Sequence, residues 1–250
     1  MMGSPAIEIK DLVKQYRGNE KPSVDGVSMN IPEGRIFGLL GPNGAGKTTM
    51  IRIMCGLLAP TAGTVAIGGF SLKNELSDIK RIIGVVPQEI ALYSTLTARE
   101  NLRVFGGILG LKGSQLRDRM EEQLSLFGLD KYPHMQVGRY SGGMKRRLNL
   151  IAGMMHRPRI LFLDEPTVGV DVQSKNVIIE NLVEINRSGT TIVYTSHYLE
   201  EAENLCSYLA ILDEGKIITR GSLNEIRQIH NTDSTLEDIF LELTGKTLRD

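Results

Sequence analysis

Apolar and polar residues alternate through IEIKDLVKQY (7–16) and again through VDGVSMNI (24–31), with the polar stretch RGNEKP between them. The two-residue period predicts antiparallel strands, an opening β region from which a mixed sheet begins. GRIFGLLG (34–41) is an apolar strand ending in glycine; after a loop, KTTMIRIMCGLL (47–58) has helical spacing. TAGTVAIGG and IGVVPQE read as further strands. The pattern then changes. TARENLRVFGGILGL (97–111) and SQLRDRMEEQLSLFGL (114–129) predict two helices with no strand between them, so residues 90–155 form a helical insertion. Strand and helix alternate again from RILFLDEP (159–166) through TTIVYTS (190–196), SYLAILDEG (207–215) and KIITRGS (216–222). The closing STLEDIFLELTG puts Leu236, Ile239, Phe240 and Leu243 on one helical face, with Ser234 and Glu237 at capping-box spacing. The expected division is a core of residues 6–89 and 156–230, a helical subdomain of residues 90–155, and an amphipathic C-terminal helix within residues 231–250.

Composition narrows the class. In 250 residues, 41% hydrophobic, there is enough apolar material for a sizeable core. Lys plus Arg number 29 and Asp plus Glu 29, so the basic excess of a duplex-binding domain is missing and no nucleic-acid partner is expected. Cys55 and Cys206 stand far apart without metal-ligand spacing and read as free thiols of a reducing compartment. No stretch approaches the roughly 18 apolar residues of a membrane span, so a soluble, cytosolic chain is expected.

GPNGAGKTT (41–49) fits G-x-x-x-x-G-K-[ST] through Gly41, Gly46, Lys47 and Thr48, between a predicted strand and a predicted helix. Here Gly41, Pro42, Asn43, Gly44, Ala45, Gly46, Lys47, Thr48 and Thr49 would wrap phosphates with backbone N–H groups, the helix adding its positive end. Lys47 would reach the β and γ phosphates, and Thr48 would offer its hydroxyl to Mg²⁺. Such a loop does not by itself separate ATPases from GTPases or small-molecule kinases. ILFLDEP adds Asp164 at the C-terminal end of an apolar strand, where open α/β sheets bind ligands. Asp164 would hold Mg²⁺, directly or through water; adjacent Glu165 would polarise a water for attack on the γ-phosphate.

Taken together, these residues resemble the nucleotide-binding domain of ATP-binding cassette (ABC) transporters, from Ala6 to the C-terminal helix. The resemblance implies an α/β fold: a P-loop NTPase core with a mixed sheet, an N-terminal antiparallel β region and an inserted helical subdomain. Within it, Tyr16 matches the aromatic that stacks on adenine. Gln88 in VVPQE matches the glutamine that contacts Mg²⁺ and the attacking water. YSGGM (140–144) matches the signature motif, Asp171 in VGVD the D-loop at the dimer interface, and His197 in YTSH the switch histidine that senses γ-phosphate. Tyr140 and Met144 replace the family's usual leucine and glutamine, while Ser141, Gly142 and Gly143 remain. At a helix N-terminus these three make an anion site, and in this family it meets the ATP bound to another subunit. Lys145, Arg146 and Arg147 then read as a solvated face.

The resemblance implies an ATPase using ATP and Mg²⁺, working as a homodimer or heterodimer of nucleotide-binding subunits. It further implies separate transmembrane subunits and a cytoplasmic position on the membrane's inner face. YSGGMKRRL and LEDIFLELTGK are similar to ATPases of exporters for drugs, lipids or polysaccharides. A soluble ABC ATPase with a non-transport role, such as iron–sulfur assembly, is the alternative.

Overall fold

The computed structural model describes residues 5–196, 198–230 and 235–245. The alternating runs at the start pair as their period predicts: β1 (Ile7–Lys14) lies antiparallel to β2 (Val24–Ile31), Ile7 opposite Ile31 and Ile9 opposite Met29. There follow β3 (Ile36–Leu40), α1 (Lys47–Met54), β4 (Ala62–Ile67), the two-residue β5 (Phe70–Ser71), α2 (Leu76–Ile82) and β6 (Ile83–Val86). Three helices, α3 (Ala98–Ile108), α4 (Gly113–Leu126) and α5 (Gly142–Met154), come before β7 (Ile160–Asp164). The rest comprises α6 (Val172–Arg187), β8 (Thr191–Ser196), α7 (Leu199–Leu205), β9 (Tyr208–Asp213), β10 (Lys216–Gly221), α8 (Leu223–Ile229) and α9 (Leu236–Thr244).

The opening strands do not begin the mixed sheet. The second edge of β1 is taken by β4, Ile7 opposite Ile67, and an all-antiparallel sheet in the order β2-β1-β4-β5 results. The mixed sheet is separate, in the order β10-β9-β3-β8-β7-β6, parallel except where β10 turns back on β9. Strands β3 and β7 are buried at every residue, because this sheet is covered on both faces. Alternate side chains divide between two cores. Phe37, Leu39, Phe162, Val193 and Leu212 pack with α1 and the antiparallel sheet. Ile36, Leu40, Leu161, Leu163 and Tyr194 pack with residues of α3 to α7 and α9 on the other side. β6 and β7 are hydrogen-bonded neighbours, so the chain leaves the sheet for α3, α4 and α5 and returns to the adjacent position.

Three local expectations are corrected. The helix predicted to residue 58 ends at Met54, where the N–H groups of Leu57 and Leu58 both turn back to the Arg52 carbonyl, at 2.9 and 3.2 Å. The capping box of α9 belongs to Thr235 and Asp238; Ser234 lies outside the described residues. Arg146 is buried, not part of a solvated face: its guanidinium donates to the carbonyls of Gln88 (2.6 Å) and Val168 (3.2 Å), and Arg147 donates to that of Phe127 (2.7 Å). Cys55 and Cys206 are free and buried, and burial pushes the Cys55 thiol up to about 12, leaving it inert at neutral pH. Among the described residues no helix is long and apolar enough to cross a membrane.

Candidate nucleotide site

Strand β3 runs parallel to both β8 and β9 in the middle of the mixed sheet, so the loop after Leu40 emerges at the sheet's C-terminal edge. That loop closes on Gly46, the N-cap of α1, at φ 109, where a Cβ would run into the Ser23 carbonyl oxygen; glycine is required there on both counts. The helix opens with Lys47 and has neither a side-chain cap nor an acidic residue in its first turn, so its positive end faces the loop. Lys47 is buried, and its ammonium donates to the carbonyls of Gly41 (2.6 Å) and Pro42 (3.0 Å). Burial lowers its pKa; Glu165 and Asp164 oppose that shift by attracting the charged form. Asn43 to Thr49 line an open cavity of about 300 Å³ together with Ser23, Gln88 and Glu165.

The acidic side of this cavity is built by three parallel strands. Asp164 ends β7 and stands opposite Thr195 of β8. Thr195 Oγ1 donates to Asp164 Oδ1 at 2.8 Å and accepts the Glu165 N–H at 3.0 Å. Glu165 itself has φ 49, a left-handed conformation seldom adopted by non-glycine residues, so the chain turns sharply as it leaves the strand. Its Oε2 accepts a hydrogen bond from Gln88 Nε2 at 2.9 Å. Gln88 comes two residues after β6, and its carbonyl is the one gripped by Arg146. Neither Thr195 nor Arg146 was identified from sequence. A threonine inside the apolar run of β8 was the available signal for the first; nothing in KRR singled out the second.

Tyr16 is half-buried beyond the end of β1, its hydroxyl 3.4 Å from Thr49 Oγ1 and the Lys14 ammonium 5.5 Å from its ring centre. It therefore stands beside the loop. Ser141, Gly142, Gly143 and Asp171 do not line the cavity that holds Lys47 and Glu165. Ser141 caps α5, its Oγ accepting the Met144 N–H at 3.2 Å, and both Ser141 and Gly142 are exposed. Gly143 is buried, and a Cβ there would strike the Ser174 side chain and come within 2.9 Å of Asp171 Oδ2. Asp171 caps α6 by accepting the Ser174 N–H at 2.9 Å, which holds its carboxyl below the usual range. Tyr140 is buried, donating its hydroxyl to the Tyr132 carbonyl at 2.7 Å. His197 lies outside the described residues, although β8, which leads to it, is the neighbour of β7.

The family model described as ABC transporter matches residues 24–168, more than half of the chain. The chain is 43% identical over 220 residues to the linearmycin resistance ATP-binding protein LnrL of Bacillus subtilis (strain 168), covering 88% of this chain and 70% of that one. It is 41% identical over 221 residues to the Nod factor export ATP-binding protein I of Paraburkholderia xenovorans (strain LB400), covering 88% and 72%. A solved dimeric structure of the ATP-binding cassette MJ0796 in a post-hydrolysis state, bound to ADP and Pi, superposes with a TM-score of 0.79 at 28% identity, covering 87% of this chain and 98% of that one. With this sequence likeness added to the site's geometry, the chain belongs to the ABC transporter family as an ATP-binding, ATP-hydrolysing domain of exporter type.

Proposed function

We propose that this chain hydrolyses Mg²⁺-bound ATP while paired head to tail with a second nucleotide-binding domain, and so drives export through separate transmembrane subunits. One observation carries this reading: Lys47, Thr48, Gln88 and Glu165 share one cavity, while the exposed Ser141–Gly142 at the start of α5 lies outside it. A small hydroxyl and the exposed Gly142 at a helix start suit a phosphate, and another chain would bring it. The partner is a second copy or a related subunit.

In that pair, residues 41–49 wrap the phosphates, Lys47 neutralises the β and γ oxygens, and Tyr16 stacks on adenine. Glu165, oriented by Gln88 and Thr195, takes a proton from the attacking water. His197 meets the γ-phosphate, and Asp171 lies at the interface between the two chains. The metal's donor set is Thr48, Gln88 and Asp164, all hard oxygens. Among the described residues no cluster of three His, Cys, Asp or Glu forms a metal cage, which suits a cation that keeps waters and shares the nucleotide's phosphates. Mg²⁺ bound there would withdraw charge from the phosphates.

Residues 90–155 would act as a unit carrying the contact with a membrane subunit. A groove of about 890 Å³ runs between this unit and α2 and β6, with exposed Leu57 and Ile108, partly buried Phe105, and the cations Lys80 and Arg81. Tyr93 stacks on Phe105 at 6.1 Å. Among the described residues no Asp or Glu lines the groove, so an apolar segment carrying an acidic residue, from a transmembrane subunit, would complement it. Docking there would hold the chain on the cytoplasmic face. The names of the relatives, resistance and export, support transport over the alternative of a soluble role such as iron–sulfur assembly. The test is a photo-crosslinker at Ile108 in native membranes. Capture of a polytopic membrane protein is expected; capture of soluble scaffold proteins alone would overturn the transport reading.

A further inference from the structure

Away from the cavity, one buried carboxylate joins the segments that surround it. Glu201, on α7, is 7% exposed. Its Oε2 accepts from Thr167 Oγ1 at 2.6 Å and from the Tyr194 hydroxyl at 2.7 Å, and its Oε1 pairs with the Lys175 ammonium at 2.5 Å. Thr167 and the Tyr194 hydroxyl are themselves 3.2 Å apart. The Tyr194 phenol is raised well above its ordinary pKa, first by burial and then by Glu201, and stays a donor.

The positions of these partners distinguish the cluster from ordinary core. Thr167 follows Glu165 by two residues, Tyr194 immediately precedes Thr195, and Lys175 stands one turn beyond Asp171 on α6. Lys175 also lies 5.5 Å from the ring centre of Tyr198, the residue that follows His197. Between Thr167 and Lys175 the chain reaches the surface at Asp171 and Val172, the latter 74% exposed. Lys175 keeps about a third of its side chain in solvent while Glu201 is buried, so the pair is poor value as a brace alone: a carboxylate taken out of water costs much of what the contact returns. It does fix geometry between segments.

We infer that Glu201 is a positioning residue that couples the exposed Asp171–Val172 segment to the hydrolytic groups. Pressure from a paired chain on that segment shifts the start of α6. Lys175 carries the shift to Glu201, which moves Thr167 and Tyr194 together, and with them Glu165 and Thr195. The inference rests on hydrolysis within a pair of chains, so pairing and hydrolysis must be read separately.

The test compares Glu201→Gln, Lys175→Met, their double variant and Thr167→Val with the parent chain. For each, ATP affinity of the monomer, the unfolding midpoint, and turnover against ATP concentration are measured. ATP-driven pairing is followed by sedimentation in a Glu165→Gln background. Monomer affinity and pairing should be retained. Turnover at saturating ATP should fall about tenfold, within the span of typical coupling between sites, with a weaker sigmoidal dependence on ATP. The double variant should be no slower than the slower single one. Thr167→Val removes one hydroxyl at constant shape and keeps the test open if Glu201 variants fail to fold. A lowered unfolding midpoint with unchanged turnover per folded chain would reduce Glu201 to a brace and overturn the inference. Lost ATP binding would overturn it too, by placing Glu201 in the nucleotide site. Failure of Glu165→Gln alone to pair with ATP would instead count against the paired site itself.

Discussion

At the residue scale, Glu165 carries most of the proposed chemistry. A left-handed conformation at a non-glycine residue costs about 1–3 kcal/mol, and here Thr195 holds the backbone while Gln88 holds the side chain. Glu165→Gln keeps the shape and an acceptor for Gln88 but cannot take a proton. Calorimetry should find ATP binding retained, and phosphate release should slow by roughly 10² or more; near-normal turnover would remove Glu165 from its proposed role. Lys47→Ala is the opposite case. It deletes the cation proposed to meet the phosphates, so ATP binding and turnover should both disappear, and unchanged affinity would contradict the assignment of the loop. Both residues were visible in the sequence because their motif partners are adjacent in the chain. Thr195 was not, since its partners Asp164 and Glu165 lie 31 and 30 residues away and meet it only through strand register.

At the scale of elements, α5 carries the largest revision. Three consecutive basic residues have the look of a solvated face, but the helix turns Arg146 inward onto the carbonyls of Gln88 and Val168. That orientation comes from neighbouring elements, and the local pattern contains no trace of it. The same helix separates the two glycines at its start. Gly142 has the Gly169 carbonyl 3.8 Å from a would-be Cβ, an ordinary contact, whereas Gly143 has no room beside Ser174. Gly142→Ala should therefore leave the monomer's thermal stability within about 0.5 kcal/mol. Gly143→Ala should cost about 1–3 kcal/mol through overpacking, and Ser174→Gly should recover part of the loss. Equal unfolding midpoints for the two alanine variants would refute this packing. The close approach that requires glycine at 143 is thus within the chain, against α6, whereas Ser141 and Gly142 are exposed.

For the whole molecule, the proposed function has a second chain complete each site. If Ser141 serves a second chain's ATP, Ser141→Arg in the Glu165→Gln background should keep monomer ATP affinity and lose ATP-driven pairing. Sedimentation with and without ATP reads the one, equilibrium binding the other. A variant that still pairs, or that no longer binds ATP as a monomer, would show that the serine does not face a partner's nucleotide.

Contiguous chemistry was within reach of the sequence. The run from Gly41 to Thr49, the ILFLDEP strand end and the order of the later motifs identify a nucleotide-binding domain because each motif acts through residues a few positions apart. Period-two alternation also identified β1 and β2, since their patterned faces record which side is buried. The wholly apolar β3 and β7 carry no such record, so strand order, and with it the placing of Asp164 beside Thr195, was settled by sheet assembly. Tertiary structure likewise decided the inward turn of Arg146, the tight fit of Gly143 on Ser174 and the gathering of Thr167, Lys175 and Tyr194 on Glu201. Each joins segments distant along the chain, and a buried polar group takes whichever partners the packing brings within hydrogen-bond reach.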